Sequence, residues 1–329
     1  MRSSLSILVF VLFSVINVSA QDPQFSQFYA NPLYVNPAFA GSSGNYRFSF
    51  CARDQYTALN KNYKTGSASF DANIQELKGG IGAIVTSDIA GDGNLATNTY
   101  GAIYSYQLNV NRSLTIRAGI QASYVQKIID FSRLKFGDQI DDRYGFIKQT
   151  NESLPIQRTS FANFAAGFLA FTNTFYGGFA IHNITEPNQS FNAQNSPDYQ
   201  YKLPRRYTAH AGMNIFLTYQ RNDEERMILS PNIIYMQQRN FNQLNIGFYL
   251  KKQALTTGIW LRQTSQNTDA LIILLGLKLP KFRVGYSYDI TVSGAQTATQ
   301  GSHELTLAFE IGHKKHEKRI FKPLVCPVF

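Results

Sequence analysis

The sequence predicts an all-β protein, a transmembrane β-barrel of the outer-membrane type with about fourteen antiparallel strands. Three observations carry that reading. The chain opens on an export signal. It continues as a long succession of segments whose apolar residues recur at every second position. The connections between segments are short after even-numbered ones and often long after odd-numbered ones.

The export signal comes first. Arg2 gives the positive start, Leu5 to Ile16 is apolar except for Ser6 and Ser14, and Val18-Ser19-Ala20 fits the small-residue cleavage pattern. The competing reading, an N-terminal anchor helix, is disfavoured because the stretch is short for a membrane span and lacks flanking charges. Gln21 rather than Cys follows the cut, so no lipoprotein is indicated. No later stretch has the ~18 uninterrupted apolar residues of a spanning helix, so insertion requires a closed barrel.

The strands follow. In Leu114 to Tyr124, Leu114, Ile116, Ala118, Ile120, Ala122 and Tyr124 alternate with Thr115, Arg117, Gly119, Gln121 and Ser123. Arg206 to Tyr219 repeats the pattern. Successive side chains on a strand point to opposite faces, so Ile116, Ile120, Met213 and Ile215 are assigned to lipid and Arg117, Gln121, His210 and Asn214 to the lumen. Such segments fall near 45–54, 63–75, 79–87, 95–108, 113–127, 159–171, 174–183, 205–219, 227–238, 241–251, 255–263, 269–278, 281–291 and 302–312. Several are long enough for the ~9–11 residues of a tilted transmembrane strand. The connections QELK, NVNR, TN, QRNDEER, KQA and LP are short, whereas Ile128 to Arg158 and Ile184 to Pro204 are long. Outer-membrane barrels sort their connections this way, with short periplasmic turns and longer outside loops, and a soluble sandwich has no reason to. Tyr and Phe near strand ends fit interfacial girdles.

The implied organisation is a signal peptide at 1–20, an N-terminal periplasmic or plug segment at 21–44, the barrel at 45–312 and a basic periplasmic tail at 313–329, with both mature termini in the periplasm. The 21–44 segment carries Pro23, Pro32 and Pro37, which bar regular pairing inside a sheet. It also carries Phe25, Phe28, Tyr29, Tyr34 and Phe39, which are costly to leave wet. A plug is therefore preferred to a disordered leader. The ending PLVCPVF has two prolines and poor alternation, so the last strand is Ser302 to Gly312 rather than a terminal strand on Phe329.

Composition and motifs exclude several classes. Lys plus Arg is 31 against 21 Asp plus Glu, a net +10, but only 16% of residues are charged, and the one dense basic cluster is His313 to Arg319. A nucleic-acid face needs more concentration than that. No GxSxG, HExxH or CxxC motif is present, and no enzyme activity and no cofactor are expected. Gly80 and Gly82 lack the third glycine and helix of a dinucleotide fingerprint, so curvature or close packing explains them better. Asp88, Asp92 and Asn94, and likewise Asp138, Asp141 and Asp142, lack calcium-loop spacing and read as solvated acidic loops. His313 and His316 lie beside repelling lysines, and His182 and His210 read as lumenal hydrogen-bonding groups, so no metal is assigned. Cys51 and Cys326 are the only cysteines; an exported setting permits their disulfide, and two free thiols fit equally.

A resemblance adds to this. The block QDPQFSQFYANPLYVNPAFAG at Gln21 to Gly41 resembles the N-terminal signature of the PorP/SprF family, membrane proteins of the type IX secretion system of Bacteroidetes. In the same order come LKFGDQID (Leu134 to Asp141), HNITEP (His182 to Pro187), LSPN (Leu229 to Asn232), GYSYDIT (Gly285 to Thr291), SHELTL (Ser302 to Leu307) and the terminal Cys326-Pro327-Val328-Phe329. The resemblance implies an outer-membrane barrel that helps large secreted proteins with a type B C-terminal domain, gliding adhesins among them, reach or stay on the cell surface. Other components of that secretion system are then its partners. It implies no catalytic residues. The residues themselves point to partner contacts on the two long outside connections, through Phe131, Phe136, Tyr144, Phe146, Phe191, Tyr199 and Tyr201, since aromatics on loops anchor protein interfaces. Lys314, Lys315, Lys318 and Arg319 would face periplasmic machinery. Loops folded down over the lumen are the plainer alternative for the aromatics, and a diffusion porin or small-solute channel is the alternative function.

Overall fold

The computed structural model describes residues 22–58, 62–91, 95–134, 136–141, 143–151, 156–191, 201–218, 227–265, 268–292 and 300–312. Fourteen strands form its wall: β1 (Tyr46–Gln55), β2 (Tyr63–Ile74), β3 (Gly79–Ala90), β4 (Leu95–Asn109), β5 (Thr115–Asp130), β6 (Ile156–Phe171), β7 (Phe175–His182), β8 (Arg206–Met213), β9 (Met227–Gln238), β10 (Phe241–Lys252), β11 (Leu255–Thr264), β12 (Thr268–Lys278), β13 (Phe282–Thr291) and β14 (Ser302–Ile311). After a break at Asn214, Ile215–Phe216 carries β8 onward along β9. Every strand pairs antiparallel with its sequence neighbours, and β14 returns to β1 with Tyr46 opposite Ile311 and Gln55 opposite Ser302. The sheet therefore closes on itself and has no free edge, which is the condition for a β-protein to sit in hydrocarbon.

The predicted alternation becomes two faces. On β5, Thr115, Arg117, Ser123 and Val125 are buried in the lumen, while Ile120 points out and is 63% exposed. On β8, Arg206, Thr208 and His210 point in, and Ile215 beyond it is exposed on the outside. Phe50, Phe164, Phe168, Ile233, Phe248, Ile259, Leu275 and Leu305 are among the large apolar groups on the outer surface. A water-soluble monomer rarely shows so large a continuous apolar surface; a bilayer is the solvent that fits it. Outward aromatics collect toward both ends, with Tyr46, Phe48 and Phe309 at one and Tyr207 and Tyr235 at the other, as interfacial girdles do.

Connection lengths sort largely by end. The turn end carries 75–78, 110–114, 172–174, 253–254 and 279–281, and the loop end carries 56–62, 131–155, 183–205 and 292–301. Three loop-end connections depart from the parity, 91–94, 239–240 and 265–267, of which 239–240 between β9 and β10 is the shortest, and one turn-end connection, 217–226, is long. The wall is also uneven. β5 and β6, at 16 residues each, pair as far as Asp130 opposite Ile156, whereas β6 joins β7 only from Ala166 opposite Ile181. The β5–β6 hairpin thus projects past β7 at the loop end, while β4 accompanies β5 up to Leu95 opposite Ile129. It carries two short 3-10 turns, Phe131–Arg133 and Gly137–Gln139, and a two-stranded ribbon that pairs Ile140–Asp141 with Gly145–Phe146.

The N-terminal segment fills the lumen. It forms a 3-10 turn at Phe28–Ala30, one helical turn at Pro32–Val35 and a second 3-10 turn at Pro37–Phe39. Pro32 and Pro37 each open a helical turn, where a missing N–H costs nothing. Asn36 caps the last turn by accepting a 2.9 Å hydrogen bond from the Ala38 N–H. Phe28, Tyr29, Leu33, Ala38, Phe39 and Ala40 are all buried, and with inward residues of the wall they make the hydrophobic core. The core therefore lies inside the barrel. It explains β12, whose run ALIILLG is apolar on both faces: Ile272 and Leu274 pack inward on this core while Ile273 and Leu275 face out.

Candidate functional site: the plugged lumen and the loop-end rim

The plug runs the length of the lumen once. At the loop end, the Asp22 carboxylate lies 3.2 Å from Arg206 of β8 and accepts a 3.2 Å hydrogen bond from Asn183, and the Asp22 N–H donates to Gln238 at 3.1 Å. At the turn end, the Ala40 carbonyl accepts from Arg117 at 2.7 Å and Ser105 at 3.0 Å, and the Gly41 N–H donates to Asp71 at 2.8 Å. This corrects the expectation that the start of the mature chain stands in the periplasm. β1 begins at the turn end, so a segment that threads the lumen once before reaching it must start at the loop end.

An ionic cage grips the first plug residues. Arg53 of β1 lies 2.7 Å from Asp289 of β13 and 3.1 Å from Glu304 of β14, and Arg262 of β11 lies 3.0 Å from Asp289. Two cations thus face two anions, all buried. Such charges are tolerable away from water only when paired and hydrogen-bonded. The plug completes the pairing. Ser26 and Gln27 donate their main-chain N–H groups to Glu304 at 2.6 and 2.9 Å, and the Ser26 hydroxyl donates to Asp289 at 2.6 Å while accepting from Arg262 at 2.7 Å. Gln27 accepts from Thr306 at 2.7 Å and donates to the Glu304 carbonyl at 3.0 Å. Cys51 donates to Glu304 at 3.4 Å in the same cage; Cys326, its candidate partner, lies outside the described residues. A second pair, Arg47 with Asp71 at 2.8 Å, closes the turn end.

Aromatic packing and close backbone approach hold the rest. Phe28 meets Trp260 at 5.2 Å, Tyr29 meets Tyr176 at 5.5 Å, and Phe39 stacks on His210 at 5.2 Å. His182 contacts the Val35 carbonyl at 3.3 Å and His210 the Asn36 amide at 3.2 Å, the lumenal roles their positions predicted. Gly80 and Gly119 let the main chain of the plug come close to the wall: a Cβ on Gly80 would stand 2.1 Å from the Ala40 carbonyl oxygen, and one on Gly119 2.4 Å from the Ala38 nitrogen. Gly80 is therefore a packing glycine, not part of a nucleotide loop.

Most of the scattered sequence blocks converge here. Ser26, Gln27 and Asn36 come from the N-terminal block; His182 and Asn183 from HNITEP; Asp289 from GYSYDIT; and Glu304 and Thr306 from SHELTL. LSPN supplies Asn232, which accepts a hydrogen bond from Tyr176 beneath Tyr29. FGDQ stands apart. It forms a self-capped turn on the β5–β6 hairpin, where the Gln139 side chain accepts the Phe136 N–H at 2.9 Å. Asp138 accepts from the Asn151 N–H at 2.8 Å and from the Thr150 hydroxyl at 2.8 Å, and these two contacts hold its carboxyl below the usual carboxylate range. Asp141 accepts from the Arg143 N–H at 3.0 Å and lies 3.3 Å from Lys148.

The residues proposed from sequence for partner contact have mixed placement. Phe131, Phe136 and Phe146 lie on the projecting β5–β6 hairpin, and Tyr144 at its tip is 66% exposed. Phe191 is partly exposed on the 183–205 connection, and Tyr201 is exposed, its N–H donating to Ser190 at 2.9 Å and to Asn188 at 3.2 Å. Lys127 of β5 donates to Gln189, which ties the bases of the two loops together. Tyr199, Lys314, Lys315, Lys318 and Arg319 lie outside the described residues.

No curated protein matches the chain. Among solved structures, the barrel is similar in fold to Omp33 of Acinetobacter baumannii, with 11% identity, TM-score 0.45, and 82% of this chain and 100% of that one covered. It is similar to the toluene transporter TbuX of Ralstonia pickettii, with 10% identity, TM-score 0.47, and 85% and 92% covered. It is also similar to a FadL homologue of Pseudomonas aeruginosa, with 11% identity, TM-score 0.41, and 89% and 100% covered. The family described as type IX secretion system membrane protein PorP/SprF matches residues 17–309. With the closed wall and its apolar outer face, that match makes the chain an outer-membrane, multi-pass barrel that belongs to the PorP/SprF family of the type IX secretion system.

Proposed function

We propose that this barrel binds and anchors a large secreted surface protein through the cargo's type B C-terminal domain, a gliding adhesin being one such cargo, and that docking occurs on the loop-end rim. The observation that carries the proposal is the filled lumen. Among the described residues the interior is packed with Phe28, Tyr29, Leu33 and Phe39 and locked by Arg53, Arg262, Asp289 and Glu304, a filling that speaks against a solute path. Among the described residues, the rim formed by the β5–β6 hairpin and the 183–205 connection offers aromatics for recognition at the outside, with Phe131, Phe136 and Tyr144 on the first and Phe191 and Tyr201 on the second. Aromatic side chains raised on an ordered hairpin serve as anchors at low entropic cost. The filled lumen weighs equally against the diffusion-porin alternative. The role is binding rather than catalysis, and the basic tail, Lys314, Lys315, Lys318 and Arg319, contacts periplasmic components.

Pull-down of cargo with purified barrel in mild detergent tests this. Shortening either outside loop should release cargo while the barrel stays assembled. Unchanged recovery after both truncations would exclude the rim as the docking surface. Neutralising the four tail cations should weaken periplasmic coupling without freeing cargo.

A further inference from the structure

Outside the lumen, a second recess opens sideways from the wall at the loop-end rim. It holds about 480 Å³ and is bounded by Glu186, Tyr201 and Lys202 from the 183–205 connection, Arg205 and Tyr207 at the head of β8, and Arg239 in the tight β9–β10 turn. Strand parity fixes which way it faces. Arg206 points into the lumen and pairs with Asp22, so Arg205 and Tyr207 on either side of it face out. Tyr207 lies opposite Gln237, and Gln238 turns inward to Asp22.

Three cations converge on this recess and one anion partly balances them. Arg205 is held by its 3.0 Å hydrogen bond to the Ile184 carbonyl and lies 3.5 Å from Glu186. Lys202 is fixed at its main chain by the bridge to Asn188, and Arg239 occupies a left-handed turn position, φ 55°, at the shortest loop-end connection. Both side chains are exposed. On the membrane side lies an apolar floor: Tyr207 stacks on Phe179 at 6.3 Å, and Ile233 and Tyr235 are exposed beside them. Cations immediately above an outward aromatic girdle sit at the depth of lipid headgroups, and arginine in particular matches phosphate oxygens.

We propose that this recess binds a phosphorylated glycolipid of the outer leaflet, with its phosphates among Lys202, Arg205 and Arg239 and an acyl chain along the Phe179–Tyr207 surface. The lateral opening and the apolar floor favour a lipid over a soluble phosphate, which would find no use for the floor. The site is separate from the β5–β6 hairpin, although Tyr201 borders both it and the proposed cargo rim.

The test is native mass spectrometry of the full chain in mild detergent, titrated with bis-phosphorylated lipid A, with its dephosphorylated form, and with pyrophosphate. Lipid A should bind in preference to both other probes. Near a membrane surface each Lys or Arg contributes about fivefold to binding of an anionic lipid, so Lys202→Gln with Arg239→Gln should weaken lipid A binding by roughly 30-fold. The paired control Arg143→Gln with Lys148→Gln, on the hairpin, should leave it unchanged. Heat-dependent gel mobility verifies that each variant is folded. Equal binding of dephosphorylated lipid, equal binding of pyrophosphate, or equal losses in the two double variants would overturn the proposal. So would a Lys202→Gln/Arg239→Gln variant that loses cargo recovery while its lipid binding is intact, which would make the recess part of the protein interface.

Discussion

Glu304→Ala isolates the contact on which the plug most depends. Glu304 sits directly opposite Arg53 across the β14–β1 seam and accepts from Arg53, the Ser26 N–H and the Gln27 N–H, with every group buried. Removing the carboxylate leaves one guanidinium half-paired and two N–H donors without their acceptor. Breaking a buried pair from one side costs about 3–5 kcal/mol. The share carried by Arg53 falls on the β14–β1 seam, whose ladder bonds are otherwise main-chain, and the share carried by the Ser26 and Gln27 N–H groups falls on the equilibrium between seated and released plug. A buried N–H donor left without its acceptor costs about 1–3 kcal/mol, so with two such donors and about 1.4 kcal/mol per tenfold the released population should rise by roughly one and a half to four orders of magnitude. Amide hydrogen exchange at Ser26 and Gln27 in the folded, detergent-solubilised barrel reads this directly. Both amides should exchange faster by that factor while amides of β5 and β10 do not change. Glu304→Gln, which keeps an acceptor, should show a smaller acceleration. Protection at Ser26 and Gln27 that survives Glu304→Ala would refute the reasoning, and loss of protection throughout the wall would show that the cage holds the barrel and not the plug.

Three further outcomes follow from the geometry. Arg at Ile120, which faces out, should cost ~2–4 kcal/mol in folding into vesicles, far more than Arg at the inward neighbour Gln121; equal tolerance would contradict the face assignment. A cysteine at Asp22 should be labelled from the loop end by a small membrane-impermeant reagent once Glu304→Ala loosens the plug, and labelling only from the turn end would reverse the threading. Asp138 has a lowered pKa in the folded loop, so its contribution to holding the β5–β6 tip is present above the ordinary carboxylate pKa and is lost as pH falls through the depressed value. Exchange at the Asn151 amide should therefore accelerate in that acid window and not between pH 6 and 8 (roughly neutral conditions, where the group stays ionised). Asp138→Asn should remove the acid dependence.

The wall was legible in the sequence because its signal is local. Alternation such as Ile116, Ala118, Ile120 against Arg117, Gly119, Gln121 needs no knowledge of neighbours, and all fourteen segments were placed within a few residues. Pro23, Pro32 and Pro37 with their aromatics likewise marked the 21–44 segment as buried without being a strand. What escaped depends on pairing across the closed sheet. Arg53, Arg262, Asp289 and Glu304 each read as an ordinary lumen-facing polar residue; only closure of β14 on β1 brings Glu304 to Arg53, 251 positions away. The direction of the plug was misread because a leader ahead of the first strand is ordinarily placed on the side where that strand begins. A segment that crosses the lumen inverts that rule. The recess at Lys202, Arg205 and Arg239 was also illegible, since it joins the end of one loop to an unexpectedly tight turn three strand ends away. The shared signal that could have found the cage lay in the family blocks: charged residues at inward positions of GYSYDIT and SHELTL are placed to bind something inside.

Ion conductance of the full chain in planar bilayers tests the central claim most directly. A barrel that works by binding at its rim, with Phe25 to Ala40 packed in its lumen, should insert and show no steady open-pore current, and Glu304→Ala should convert silence into brief openings. A steady porin-like current from the unaltered protein would contradict the plugged lumen and, with it, the account of this chain as a docking barrel.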